Sequence, residues 1–211
     1  MPEHASLGGP TITLHMNTVQ EEIAATAARM VVEEGLEYGP AKRRAVKQLG
    51  LNTRAQLPNN DQVEDAVREY LDLFCADTQP AELKALRELA AVWMARMAAF
   101  RPHLGGAVWR GTATGLSDIY LQLFCDDSKS AEISLIDHNV RYEVSTVQGF
   151  QGEAVDALSI LCGCPGLPQK VLVHLMIYDL DDLRGALKPD GQGRTYRGDL
   201  AALNKLTREF E

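Results

Sequence analysis

The stretch from Gly111 to Phe124, GTATGLSDIYLQLF, joins a Gly-Thr pair to a Ser-Asp pair that opens an alternating apolar segment. Residues i and i+2 of a strand point to the same face, so Asp118 and Tyr120 are expected to stand side by side. Two carboxylates so placed can hold the two Mg²⁺ ions that stabilise the attacking and leaving oxygens in transfer to or from a phosphate. Here only Asp118 supplies a carboxylate, because Tyr120 is a neutral phenol and a poor ligand for a hard cation.

At these residues the chain resembles the nucleotidyltransferase superfamily, whose members include DNA polymerase beta and CCA-adding enzymes. In that family a strand ends in Gly-Ser or Gly-Thr, and Ser-Asp-x-Asp opens the next strand after a short turn. The resemblance implies that Gly111 and Thr112 bind phosphate through backbone N–H groups and a hydroxyl. It also implies that Ser117 and Asp118 open the metal-binding strand, with Tyr120 beside the nucleotide where the family has its second aspartate.

The family's third carboxylate lies on a later strand between apolar neighbours, and this chain offers three candidates for it. Asp156 in AVDALSIL is preferred because both of its neighbours are apolar, while Glu143 and His174 are the alternatives. Asp118 and Asp156 are then the implied catalytic and metal-binding pair. Such a pair is expected to hold one Mg²⁺ weakly or none, with ATP or another nucleoside triphosphate as the ligand.

Three functions stay open at this point. The first is a nucleotidyltransferase-fold protein that binds a nucleotide or RNA and whose metal-dependent transfer is weak or lost, which leaves its status as an enzyme undecided. The second is an active nucleotidyltransferase that moves a nucleoside monophosphate from a triphosphate to a hydroxyl acceptor. The third is a DNA-binding regulator that uses a basic helical half.

A basic cluster in the first half is the feature behind the third function. Lys42, Arg43, Arg44 and Lys47 lie close together in an otherwise acidic chain. A short basic helix of this kind faces DNA phosphates in helix-turn-helix regulators. The alternative interpretation is a solvated helix face that is balanced by the glutamates of the preceding VVEEGLE.

Periodicity and helix-capping residues predict helices in the first half of the chain. Thr18-Val-Gln-Glu21 has the pattern of a capping box, which predicts a helix that begins at Thr18 and stops at Gly35. Further helices are predicted at about residues 39–50, 61–74 and 78–97, and their apolar stripes are expected to pack together.

From Gly105 onward, short apolar runs alternate with Gly, Pro and Asp, which is typical of strands. Strands are predicted within GAVWRG, DIYLQLFC, VRYEVSTV, EAVDALSIL and VLVHLMIYD, and helices near residues 128–138, 179–187 and 198–209. The predicted fold class is α+β, with an N-terminal helical bundle followed by a nucleotidyltransferase-like mixed sheet and flanking helices. The predicted domains are a loosely ordered segment at 1–16, a helical domain at 17–104 and an α+β domain at 105–211.

Composition limits the partners. A formal net charge of -8 disfavours non-specific adhesion to nucleic acid or anionic membrane, although a local basic patch can still bind either. The sequence has no apolar run of about 18 residues and no secretory signal pattern, which predicts a cytoplasmic protein without a membrane partner. The expected partners are a nucleoside triphosphate and RNA or DNA, and the oligomeric state is left open.

Overall fold

The computed structural model describes residues 11–52, 54–189 and 193–208, with side chains from residue 18 onward. The chain divides into two compact units, one that ends at Cys75 and one that begins at Ala76. The segment predicted to be loosely ordered, residues 1–16, lies mostly outside the described residues. Its last part belongs to a helix that begins at Thr11.

The first unit consists of α1 (Thr11–Glu34), α2 (Tyr38–Gln48) and α3 (Asn60–Phe74). Gly35, with φ of 68°, ends α1 as predicted. The prediction that this helix begins at Thr18 is wrong, because α1 continues through Thr18 and its backbone N–H groups there are inside a helix rather than free to be capped. The three helices bury a common core, which includes Ile23, Ala27, Met30, Val46, Val63 and Val67.

The second unit combines helices with a six-stranded mixed sheet, so the coarse α+β prediction is confirmed. In chain order it contains α4 (Gln79–Arg96), β1 (His103–Gly105), α5 (Gly106–Arg110), β2 (Ile119–Cys125), α6 (Ser128–Asp137), β3 (Glu143–Gln148), β4 (Ala154–Gly163), β5 (Lys170–Asp179), α7 (Leu183–Ala186), β6 (Arg197–Gly198) and α8 (Leu200–Arg208). The strand order is β3-β4-β5-β2-β1-β6. Only β2 and β5 pair in parallel among these neighbours.

The strand predicted within GAVWRG is instead helix α5, and this prediction is wrong. Gly106 has φ of 67° and turns the chain out of β1, and Gly111, with φ of 82°, ends the helix one turn later. The partner of β2 on this side is therefore the short strand β1, in which Gly105 lies opposite Tyr120. Gly106 and Gly111 permit these turns, and their effect overrides the apolar pattern that favours a strand.

Helix α4 belongs to the second unit, which begins at Ala76. The predicted domain boundary, at residue 104, places this helix in the helical domain instead. Its buried residues Leu86 and Met94 share one core with Leu121 of β2. The amphipathic stripe of α4 was visible in the sequence, but periodicity does not say which surface a stripe will cover. The sheet surface packed against α4 is called the helix face below.

The opposite surface of the sheet is called the open face. On β2, Ile119, Leu121 and Leu123 are fully buried on the helix face, and the alternating residues Tyr120 and Gln122 point to the open face. One end of the open face is covered by a small apolar cluster, which contains Phe124, Val155, Tyr178 and Ala186. No helix within the described residues is long and apolar enough to span a membrane.

Candidate functional site

A hydrogen-bonded row of polar side chains crosses three neighbouring strands on the open face. His174 of β5 lies opposite Ser159 of β4 in the register, and its Nδ1 is 2.8 Å from the Ser159 hydroxyl oxygen. The other ring nitrogen, Nε2, is 3.3 Å from Oδ2 of Asp118, just before β2. The row keeps an accessible side, because the side chains of His174 and Asp118 are 18% and 37% exposed.

Tyr120 fixes the histidine ring from the side of β2. The two residues are opposite each other in the parallel register, and their rings stack at a centroid distance of 4.9 Å with an interplanar angle of 21°. A Cβ on Gly106 would lie 3.3 Å from the Tyr120 ring, so the glycine leaves room for it. Tyr120 is therefore part of a stacked aromatic pair.

Asp156, the preferred third carboxylate, does not join Asp118. Asp156 lies opposite Ile177 in the register of β4 and β5, and Ile177 is buried in the core of the helix face. His174 is an odd number of residues before Ile177 on the same strand and therefore points to the open face. Asp118 and Asp156 are on opposite faces of the sheet, so one ion cannot bind both carboxylates.

The alternative candidates for the third position have different locations. His174 is the one that contacts Asp118. Glu143 lies opposite Ser159 in the register, on the exposed edge strand β3. Within the described part of the chain, no group of three or more His, Cys, Asp or Glu side chains is arranged to hold a metal ion.

The predicted phosphate-binding turn packs against α4. The carbonyl oxygens of Gly111 and Ala113 accept hydrogen bonds from Nε2 of Gln79 at 3.1 Å and 2.9 Å. Thr112 is 3% exposed, and its hydroxyl is buried with no hydrogen-bond partner among the described residues. The hydroxyl of Ser117 accepts from the backbone N–H of Thr114 at 3.0 Å, which closes the turn before β2.

A second polar group on the open face contains buried atoms without hydrogen-bond partners. Among the described residues, they are Nε and Nη1 of Arg197, Oε1 of Gln122 and both carboxylate oxygens of Glu153. The Arg197 guanidinium lies 4.4 Å above the centroid of the Phe150 ring, and that ring lies 4.7 Å from the Tyr178 ring. Each unpartnered buried polar group costs about 1–3 kcal/mol, so the cluster is costly without a partner.

The charges of this second group perturb one another. Burial lowers the pKa of Arg197, and the neighbouring Tyr178 opposes that shift. The pKa of the Tyr178 phenol is raised, first by burial and then by the Glu153 carboxylate. Arg197 lies in the same row as the first polar site, because Gly105 is opposite both Arg197 and Tyr120.

The basic cluster of the first unit is partly engaged in contacts within that unit. Nζ of Lys42 donates to the Pro58 carbonyl at 3.1 Å and to Oδ1 of Asn60 at 2.9 Å, and the side chain is half-buried. Burial, followed by the charge of Arg43, lowers the pKa of Lys42. Arg44 forms an ion pair with Glu34 at 2.5 Å, whereas Arg43 and Lys47 are exposed on α2.

Sequence reasoning missed several residues of the open face. Ser159 and Glu153 were not proposed as ligands because isolated polar residues carry no motif. The signal that was available is the Gly105-Gly106 pair, which marks a close approach of backbone and ring. In the sequence, Arg197 belongs to a Gly-rich segment that is consistent with a phosphate contact or with a solvated loop, and its position in a short strand opposite Gly105 was not visible from its neighbours.

Comparisons with known proteins do not supply a relative. No protein-family model matches this chain, and no curated protein is significantly similar to it.

Proposed function

We propose that the second unit has a nucleotidyltransferase-like fold and binds a nucleotide, free or in RNA, on the open face without efficient nucleotidyl transfer. The observation that supports this function is the composition of the open face. It combines the Asp118 carboxylate, a stacked pair of rings (Tyr120 and His174) and the Arg197 guanidinium, two of whose N–H groups are buried. Aromatic rings stack on bases, and arginine pairs with phosphate oxygens.

The same geometry argues against two-metal catalysis. A two-metal clamp needs carboxylates that converge from neighbouring strands, and Asp156 lies on the other side of the sheet from Asp118. Tyr120 does not replace a carboxylate for a hard cation. The residues present therefore do not fit a pair of Mg²⁺ ions, and no step is assigned to them.

The proposed function predicts that substitutions at the site lower the affinity for ATP. Calorimetric titration with ATP should give saturable binding to the parent protein, with and without Mg²⁺. Arg197→Met and Tyr120→Ala should each lower the affinity at least about tenfold, which corresponds to about 1.4 kcal/mol for a phosphate contact or a stacked base. Arg141→Met, which changes an exposed arginine, is the matched control and should leave affinity unchanged.

A transfer assay separates binding from catalysis. The parent protein is incubated with radiolabelled ATP and total RNA, protein or small molecules, and little or no label should be transferred. Rapid Mg²⁺-dependent transfer that disappears in Asp118→Asn would establish the active nucleotidyltransferase instead. If ATP, GTP, CTP and UTP all fail to bind, nucleotide binding itself is excluded.

A further inference from the structure

The contacts of Ser159, His174 and Asp118 have the order of a nucleophile, a base and an orienting carboxylate. We propose that Ser159 is a nucleophile that takes an acyl group from an activated ester or thioester. The Ser159 hydroxyl oxygen is 2.8 Å from Nδ1 of His174, and Nε2 of the same ring is 3.3 Å from Oδ2 of Asp118. A hydroxyl within hydrogen-bond reach of a base that a third group orients is the arrangement that activates a serine.

The Asp118 carboxylate determines which nitrogen of His174 carries the proton. An ionised carboxylate only accepts hydrogen bonds, so Nε2, the nitrogen that faces Asp118, is the donor in the neutral ring. Nδ1 then presents a lone pair, and the Ser159 hydroxyl donates to it. The ring is therefore able to take the hydroxyl proton, and the carboxylate stabilises the imidazolium that results.

The sheet holds these three side chains on an accessible part of the open face. Ser159 and His174 lie opposite each other in the register of β4 and β5, and the Tyr120 ring stacks on the imidazole. Ser159 is half-buried, and the side chains of His174 and Asp118 keep exposed sides. The apolar cluster that contains Phe124 covers the other end of this face. A small acyl donor can therefore approach the hydroxyl from solvent.

The neighbours of Ser159 indicate the class of acyl group. Leu161 follows on the same face and is 58% exposed, and Leu172 lies opposite it in the register. These side chains favour an apolar acyl chain. Glu143 lies opposite Ser159 on the other side, is exposed, and disfavours an acyl group that ends in a carboxylate.

The backbone around Ser159 restricts the reaction to acyl donors with good leaving groups. Strand β4 pairs with a strand on each side, at Ser159 with Glu143 and with His174, so its N–H groups lie in the ladders instead of forming an oxyanion hole. One oxyanion-hole donor contributes about 10²–10³ in rate. An activated ester or thioester depends less on this contribution than an amide does, because its leaving group is weakly basic.

The reaction has two steps. The Ser159 oxygen bonds to the acyl carbon as its proton moves to Nδ1 of His174, the bond to the leaving oxygen or sulfur breaks, and the leaving group takes that proton. Water then attacks the acyl-serine and gives a proton to Nδ1, and the Ser159 oxygen leaves with it. The net change is hydrolysis to a carboxylic acid and an alcohol or thiol.

The test uses the full chain with p-nitrophenyl butyrate and no nucleotide, so failure of the ATP titration and failure of this reaction are separate results. Mass spectrometry of the parent should locate the butyryl group on Ser159, and a fluorophosphonate probe should label the same residue. Ser159→Ala should abolish both adducts, and His174→Gln should slow acylation at least about 100-fold. Ser145→Ala, which changes an exposed serine of β3, is the matched control and should react as the parent does.

Asp118 acts through His174 and is tested as a positioning residue. Asp118→Asn should slow acylation at least about tenfold, because the imidazolium loses its negative partner. Asp118→Glu keeps the charge and should recover most of the rate. Equal rates in these two variants would contradict the role of the carboxylate.

Three results would overturn the proposal. They are the absence of any adduct on Ser159 in the parent, acylation of His174 or another residue instead of Ser159, and an unchanged rate in His174→Gln. Circular dichroism checks that the variants are folded. The adduct is located in the parent protein, so this part of the test does not depend on the folding of a variant.

Discussion

At the scale of single residues, two arginines of the second unit have opposite surroundings. Arg87 is 5% exposed and donates hydrogen bonds to the carbonyls of Val108 and Trp109 at 3.2 Å and 3.4 Å. Within the described part of the chain, Arg197 has two buried N–H groups without acceptors and a cation–π contact with Phe150. Arg87 stabilises the end of α5. Arg197 lowers the stability of the fold, because a buried N–H group without an acceptor is unfavourable.

This contrast predicts different effects of the same substitution. Arg87→Met should lower the free energy of unfolding by about 2–4 kcal/mol, because two carbonyls lose a charged donor. Arg197→Met should change it by less than about 1 kcal/mol, since the lost cation–π contact is offset by removal of unpartnered N–H groups. Urea unfolding of both variants measures the difference, and an equal loss would show that Arg197 is a structural residue.

A buried thiol gives a pH-dependent prediction. Burial raises the pKa of Cys164, and the charge of Glu88 adds to the shift. The folded state therefore keeps this proton after the thiol of the unfolded chain, with a pKa of about 8.5, has lost it. The resulting stabilisation is complete below that pKa and decreases as pH rises above it.

Replacement of Cys164 should reduce the decrease in the free energy of unfolding at alkaline pH. Between about pH 8 and about pH 10, the free energy of unfolding of Cys164→Ala should fall less steeply than that of the parent. Urea unfolding at several pH values provides the two slopes. Identical slopes would mean that the thiol titrates alike in the folded and unfolded chains.

At the scale of elements, α5 is attached to the edge strand β6 through Trp109. Nε1 of Trp109 donates to the Thr195 carbonyl at 2.8 Å. A Cβ added to Gly198 would lie 2.2 Å from the Trp109 ring, so the glycine is required for this contact. Helix α5 is thus held against β6 by the packing of the Trp109 indole on Gly198.

Gly198→Ala should displace the indole and destabilise the edge of the sheet. We expect a loss of about 1–3 kcal/mol, as for other overpacked sites, and a red shift of Trp109 fluorescence. The measurement is made in a Trp93→Phe background so that Trp109 alone emits. Gly163→Ala is the control, because a Cβ there meets no atom within 4 Å; equal effects of both substitutions would contradict the packing account.

At the scale of the whole molecule, the chain consists of two units with separate cores. The core of α1, α2 and α3 and the core of α4 with the sheet have no buried member in common. The division falls between Cys75 and Ala76, before α4. Every residue assigned to the proposed nucleotide site belongs to the second unit.

A fragment that begins at Ala76 should therefore fold cooperatively and bind ATP with an affinity within about threefold of the full chain, a difference of less than about 1 kcal/mol. Circular dichroism with urea unfolding and calorimetric titration test the two parts of this prediction. A fragment that begins at Gly105, at the predicted domain boundary, should fail to fold because it lacks α4. Folding of the shorter fragment would restore the boundary at residue 104.

The sequence by itself determined most of the elements and the direction of their side chains. Alternation in DIYLQLF correctly placed Ile119, Leu121 and Leu123 in the core, because the period of a strand follows from local backbone geometry. It also identified Gly35 as the end of a helix, and the first residues of β2 as a polar site. These features depend on residues that are near one another in the chain.

Only the tertiary structure decided which polar side chains meet. The partnership of Asp118 with His174, and the placement of Asp156 on the opposite face, depend on strand order and register between segments that are distant in the chain. A shift of register by one residue would exchange the faces, so local pattern could not choose between Asp156 and His174. The same reason applies to α4, whose apolar stripe was evident while the surface that it covers was not.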